Sequence, residues 1–180
     1  ASNAGAQLVH RNVIPRTSHE GIQFDAAGNM YFIDELNGGA IYKYTSAASQ
    51  KAVKRGADYF AAGQTFVLRV GDGNTPNAVG AYTWVPITTK TGAGLPGAIV
   101  ITDSNGVTSV DGRNTTDLPA FKGTDYQRPE DLQIQVVKGR EYLYVATTTT
   151  NEVYRLDLNN QTISVFANRN TIDLATGAAV

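Results

Sequence analysis

Two glutamates open matching segments of this chain: Glu20 in His19-Glu20-Gly21, and Glu130 in Arg128-Pro129-Glu130-Asp131. After Glu20, the apolar Ile22 and Phe24 alternate with Gln23 and Asp25, the period of a half-buried strand. A carboxylate entering such a strand is costly unless it is paired, hydrogen-bonded or metal-bound. Glu20 and Glu130 therefore read either as cation ligands or as satisfied structural acids. An all-oxygen ligand set suits Ca²⁺, or Fe³⁺ where more carboxylates join. Asp34 and Glu35 close the next apolar run, and alternation sends them to opposite sides unless the strand has already ended, so at most one is a ligand. Asp131 reads as a local cap or pair. Arg128 can grip a phosphate bidentately or serve as an ion pair between strands. His19 can ligate a metal or carry a proton near neutral pH, or simply donate a structural hydrogen bond.

The elements that must position these groups are short strands. Residues 22–25, 30–33 and 40–44 read as three of them. The first turn is Asp25-Ala-Ala-Gly-Asn29, where Asp and Asn bond their own backbone and Gly28 can take positive φ. The second is Leu36-Asn-Gly-Gly39, with an Asn-Gly pair favoured in tight hairpins. Residues 128–158 repeat the pattern, Glu20 matching Glu130, Tyr31 matching Tyr144 and Tyr42 matching Tyr154. An acid-first unit of antiparallel strands, repeated, is the signature of a β-propeller blade, whose acidic strand ends converge on one axis. A blade runs to about 40–45 residues, so the spacing leaves room for another between the two copies.

The intervening stretch carries strand patterns at 64–70, 82–87 and 98–102, and a short helix is expected at 47–54. Residues 88–97 and 103–127 are rich in Gly, Thr, Asn and Asp and read as long inserted loops. Asp72-Gly-Asn74 and Asp103-Ser-Asn-Gly106 resemble fragments of calcium loops, but neither has the full ligand run, so both are read as turns. Residues 162–166 form a last strand. The expected fold is all-β: a partial β-propeller of roughly three antiparallel blades with long inserted loops at about 88–127. Residues 1–18 are a lead-in that begins with what reads as a tag-removal scar, Ser2-Asn3-Ala4, and 19–180 form one domain.

Composition narrows the chemistry. A charged fraction of 17% with 18 glycines fits a turn-rich β protein rather than a disordered chain. A net charge of −1 gives no electrostatic footprint for nucleic acid or an anionic membrane. No apolar run approaches a membrane span of about 20 residues. The absence of cysteine removes disulfides, thiolate metal sites and cysteine nucleophiles. No phosphate-cradling glycine loop, zinc motif or Ser-His-Asp order is present.

The chain resembles the PhoX-type alkaline phosphatase family of bacterial β-propellers. The resemblance is carried by His19-Glu20-Gly21, the Tyr31-Phe-Ile-Asp-Glu35 strand end, the 64–70 strand with Thr83-Trp-Val-Pro86, and Gln127-Arg128-Pro129-Glu130-Asp131. It continues through Leu143-Tyr-Val-Ala146, Asn151 and Val153-Tyr-Arg155, from about residue 8 to residue 175. It implies a calcium-dependent, secreted or periplasmic phosphomonoesterase on a six-bladed propeller, with calcium and iron on the axis. Glu20 and Glu130 match blade-opening glutamates facing that centre, and Asp34, Glu35 and Asn151 match strand-end positions near it. Arg128 and His19 are the candidate catalytic groups, the first as a phosphate contact. The cysteine metal ligand and the earlier blades of the family have no counterpart here. About half a ring is therefore expected, its edges open to a missing half or to self-association. The isolated chain is then expected to be inactive. The alternatives are a non-catalytic, calcium-stabilised binding or surface module, and an inactive fragment.

Overall fold

Alternating β-branched and aromatic residues, broken by Gly, Asn and Asp turns, give an antiparallel sheet with little helix. The computed structural model describes residues 10–179, so Ser2-Asn3-Ala4 lies outside the described residues. In chain order the elements are β1 (His19–Phe24), β2 (Met30–Asp34), β3 (Asn37–Gly39), β4 (Ile41–Ser46), α1 (Gly56–Tyr59), β5 (Gly63–Val70), β6 (Gly80–Pro86) and β7 (Val100–Thr102). They continue as β8 (Thr108–Val110), α2 (Gly112–Thr116), β9 (Tyr126–Gln127), β10 (Pro129–Val137), β11 (Arg140–Thr147), β12 (Glu152–Asp157) and β13 (Thr162–Ala167).

The fold is all-β, as expected, and blade-like. Two four-stranded meanders, β1-β2-β4-β5 and β10-β11-β12-β13, are joined through β6 into one nine-stranded sheet. β6 pairs with β5 along most of its length and with β13 only through Ala81 and Gly80. The two edge strands, β1 and β10, are turned toward each other, so the sheet nearly closes on itself. Their approach is so near that a Cβ on Gly21, which has φ of +29°, would lie 2.8 Å from the Leu132 nitrogen. No hydrogen-bonded ladder joins the two edges among the described residues.

The internal repeat is a structural one. In the first meander His19 faces Asp34 and Ile22 faces Phe32, so Glu20 and Gly21 together oppose Ile33. In the second, Pro129 faces Thr147 and Leu132 faces Val145, so Glu130 and Asp131 together oppose Ala146. Both copies therefore carry a β-bulge at the same place, and it contains the matched glutamate. The third strands keep the same register, with Tyr42 opposite Phe32 and Tyr154 opposite Val145.

β2 is buried along its whole length. Its alternation sends Tyr31 and Ile33 into a core shared with Leu132, Leu143, Val145, Tyr154 and Leu156, inside the curved sheet. Met30 and Phe32 point the other way, into a second core with Tyr42, Tyr44 and Val67. That outer core is capped by Val13, Ile87 and Phe121, with Leu95, Ala98 and Leu118 packed against it. The stretch read as inserted loops is thus an ordered cover over the first meander. It holds β8, α2 and β9 where 103–127 was expected to be loop, and β8 pairs with β7, which lies in the strand expected at 98–102. Asp111 starts α2 by accepting the Asn114 backbone N–H at 3.1 Å, an N-cap that competes successfully with the turn tendency of Gly112 and Asn114.

The helix expected at 47–54 is a correction: the helical turn falls at Gly56–Tyr59. Ser46 turns its hydroxyl to the Ala48 N–H and the Tyr59 carbonyl, which holds the earlier residues in turns. The turns at Asp25–Asn29, Asp72–Asn74 and Asp103–Gly106 form as expected, each with the Asp side chain accepting a backbone N–H within the turn.

Candidate functional site

The carboxylate-bearing strand ends meet around one arginine. Arg128 sits between β9 and β10 with φ of +59°, a conformation uncommon outside glycine and asparagine. Its backbone is pinned on both sides: its N–H donates to the Leu36 carbonyl at 3.0 Å, and its carbonyl accepts from the Thr148 N–H at 3.1 Å. The loops that follow β2 and β11, equivalent positions of the two repeats, are thereby tied to the same residue. The short β3–β9 pairing, Asn37 with Gln127 and Gly39 with Tyr126, strengthens that tie. Thr149 adds a hydroxyl bond to Asn37 Oδ1 at 2.6 Å.

From this pinned backbone the guanidinium donates to Glu35 Oε1 through Nε at 3.1 Å and through a terminal nitrogen at 2.6 Å. Nε also lies 3.1 Å from Glu130 Oε1, which accepts the Thr148 hydroxyl at 2.8 Å. The hydrogen bond to Glu35 and the charges of Glu130, Glu35 and, more weakly, Glu20 push the Arg128 pKa up. Two of the expected site carboxylates, Glu35 and Glu130, thus hold the expected phosphate-contact arginine, and Glu20 adds only its weaker charge. Half of the Arg128 side chain is exposed, against about a quarter of Glu35 and Glu130. The premise that Glu20 enters the apolar strand is corrected: the bulge leaves Glu20 exposed at the strand end, and Gly21 makes the close approach.

Asp34 is placed differently. It is 1% exposed, and both its oxygens are engaged by Arg113, at 2.8 Å from Nε and 2.6 Å from a terminal nitrogen. The Ser18 N–H donates to it as well, at 2.8 Å, and the same arginine reaches the Ser18 hydroxyl at 2.9 Å. The pair fastens α2 to the end of β2. Adjacent Asp34 and Glu35 do point apart, as alternation requires, one into the protein and one toward Arg128. Arg113 was missed because it lies in a polar stretch with nothing local to link it to Asp34; the Asp111 N-cap was the available signal that the stretch is structured.

His19 donates from Nε2 to the Pro15 carbonyl at 3.1 Å and packs its ring 5.1 Å from Phe32. Desolvation pushes its pKa down, opposed by the Pro15 hydrogen bond and the charge of Asp34. It faces the lead-in segment and makes no hydrogen bond to Arg128 among the described residues. Asn151 occupies an exposed turn after β11 with φ of +55°, and its amide reaches only the Thr149 carbonyl, at 3.4 Å.

The match to known families decides the lineage. The family model for Alkaline phosphatase PhoX covers residues 2–172. The chain belongs to the PhoX family. No curated protein and no solved structure matches it.

Glu20, Glu35 and Glu130 offer the hard oxygens that Ca²⁺ takes. As they stand, however, Arg128 supplies the neutralising positive charge. No group of three or more His, Cys, Asp or Glu able to hold a metal is assembled among the described residues. The donor type fits calcium, and the assembled geometry does not by itself form a cage. No helix among the described residues is long and apolar enough to cross a membrane.

Proposed function

We propose that this chain supplies the carboxylate-bearing strand ends of a calcium-dependent phosphomonoesterase, an alkaline phosphatase. Glu20 and Glu130 would act as Ca²⁺ ligands, and Arg128 as a phosphate contact. The observation that carries this reading is the coincident bulge: the same two-against-one irregularity holds the matched glutamate of both repeats, and Glu130 lies beside a backbone-pinned arginine. Bulges recur where a strand must re-aim a side chain at a functional site. Family membership agrees with it.

The groups of this chain have separable parts in that reading. The pinned backbone presents the Arg128 fork in one orientation, suited to two phosphate oxygens. Glu35 holds the fork, and Thr148 orients Glu130. A bound cation would supply charge neutralisation for the phosphoryl oxygens. Further oxygen ligands would have to join Glu20 and Glu130 to complete its coordination. Fe³⁺ would need more anionic donors still, and Asp34, held by Arg113, is not free to be one. Carboxylates as open as these suit weak calcium sites, with dissociation constants of about 10⁻⁴–10⁻³ M as in extracellular modules, which goes with a periplasmic or secreted location.

Calcium titration of the wild-type chain, Glu20→Gln and Glu130→Gln, read by thermal melting and calorimetry, tests the ligand assignment. The expected result is a calcium-dependent rise in melting temperature that both variants lose. An unchanged calcium response in both variants would discard it. Hydrolysis of p-nitrophenyl phosphate by protein carrying Arg128→Gln tests the phosphate contact. A second reading, a calcium-stabilised module without catalysis, is favoured by the Arg128 guanidinium already resting on Glu35 and Glu130. Stabilisation by calcium, with no hydrolysis by a longer protein that carries this chain, would select it.

A further inference from the structure

A second cationic surface lies beyond the Asp34–Arg113 pair, where the lead-in segment crosses the β7–β8 ribbon and the start of α2. A cleft of about 420 Å³ is lined there by Arg16, Thr17, Ser18, Asp111, Arg113 and Asn114. It adjoins another, of about 650 Å³, that shares Arg16 and adds Arg11, His10, His19 and Asp103.

Arg16 is held as a ligand-binding residue would be. Its N–H donates to the Val110 carbonyl at 2.8 Å, its carbonyl accepts from the Gly112 N–H at 3.0 Å, and the two bonds form a parallel bridge to Asp111. The side chain by contrast is exposed and has no ion pair or hydrogen bond among the described residues.

The acids beside Arg16 are committed elsewhere. Both Asp111 oxygens are taken by Asn114, at 3.1 Å from its N–H and 2.7 Å from its amide. Asp103 accepts the Asn105 and Val107 N–H groups and lies 3.5 Å from His10. Arg113 has its inner edge on Asp34 and keeps about a third of its side chain exposed. The cleft also contains Thr17, whose hydroxyl oxygen is buried with no hydrogen-bond partner, and the Ser18 hydroxyl. In a chain with a net charge of −1, this places two guanidinium groups and the Ser18 hydroxyl around one opening, with the Thr17 hydroxyl buried behind it.

We infer that this cleft is a phosphate-type oxyanion site, with Arg16 as its principal contact and the outer edge of Arg113 as its second. A tetrahedral oxyanion suits it because guanidinium forks and hydroxyl donors match several acceptor oxygens at once. The site does not depend on calcium or on the strand-end glutamates, so it stands or falls separately from the phosphatase reading.

The test is titration of the 180-residue chain with inorganic phosphate, against chloride at matched ionic strength, followed by calorimetry and thermal melting. Wild type is expected to bind phosphate and to melt higher in it. Arg16→Gln, which keeps the backbone bonds that hold the segment, is expected to weaken phosphate binding on the order of tenfold or more. Arg16→Lys is expected to retain part of the binding, and Arg140→Gln, outside the cleft, to retain all of it. Three results would overturn the inference: phosphate acting no differently from chloride, Arg16→Gln binding as wild type does, or Arg140→Gln removing the response.

Discussion

Replacing Arg113 by Ala should destabilise the protein more than any other change of an arginine on its surface. Asp34 is 1% exposed and relies on that guanidinium for two hydrogen bonds, at 2.8 and 2.6 Å, plus one N–H from Ser18. Removing one partner of a buried pair leaves an uncompensated charge and costs about 3–5 kcal/mol. Arg113 is about a third exposed, so water can enter and the lower end applies, about 3 kcal/mol. For a domain of this size that corresponds to a melting temperature lowered by roughly 6–12 °C. The variant also frees α2 from β2, so hydrogen exchange should rise at the β2 end and in α2 together. The assay is a double-mutant cycle with Asp34→Asn, by urea denaturation. Because the neutral amide no longer needs a cation, the double variant should cost well below the sum of the singles. A loss below about 1 kcal/mol for Arg113→Ala, the range of a surface ion pair, would refute the reasoning, as would strict additivity.

Three further outcomes follow from the geometry. Gly21→Ala should lower the urea midpoint by an amount equal to about 1–3 kcal/mol, since the residue has φ of +29° and an added Cβ would meet the Leu132 nitrogen at 2.8 Å; an unchanged midpoint would mean that β1 and β10 do not pack this closely. Leu143→Ala, at a fully buried site of the inner core, should cost about 2–5 kcal/mol by the same assay. His19 has its pKa pushed below its ordinary 6.5 by desolvation, so the unfolded chain binds its proton more readily. The stability that His19 contributes is therefore complete above pH 6.5 and is lost as pH falls below that value. His19→Gln should flatten that part of the pH–stability curve, and a curve identical to wild type would show that His19 is not the group responsible.

Much of the architecture was legible because strand patterning and turn chemistry agree. The Asp25–Asn29 turn needed no tertiary information, and the matched tyrosines fixed the repeat. The alternation in β1 gave the strand but not its faces, since Ile22 and Phe24 are exposed rather than half-buried. The bulge was not readable, since Glu20-Gly21 and Glu130-Asp131 share no pattern beyond the acid; only the pairing register reveals that two residues oppose one. The 47–54 segment was misread because alanines favour helix locally, while the Ser46 hydroxyl bonds to Ala48 and Tyr59 and holds the chain otherwise. At the site, strand-end positions for Glu20, Glu35 and Glu130 could be read from the sequence, but the meeting of Glu35 and Glu130 on Arg128 appears only in the fold. The withdrawal of Asp34 could not, because its partner comes from α2, far along the chain, within a stretch that reads as loop.

The two-sided burial of β2 has a consequence for the order in which the protein assembles. The outer side of β2 can be covered by residues up to Phe121, all made before the second meander exists. Its inner side, with Tyr31 and Ile33, must wait for Leu132, Leu143 and Tyr154 at the far end of the chain. A growing polypeptide therefore passes through a half-built stage in which one curved sheet has a finished back and a bare apolar front. Contacts between residues so distant in sequence form slowly, and a bare sheet face is a site for misassociation while it lasts. Chaperone dependence and losses to inclusion bodies should accordingly trace to the late arrival of β10–β13, and substitutions that speed the docking of that meander should improve recovery even where they leave final stability unchanged.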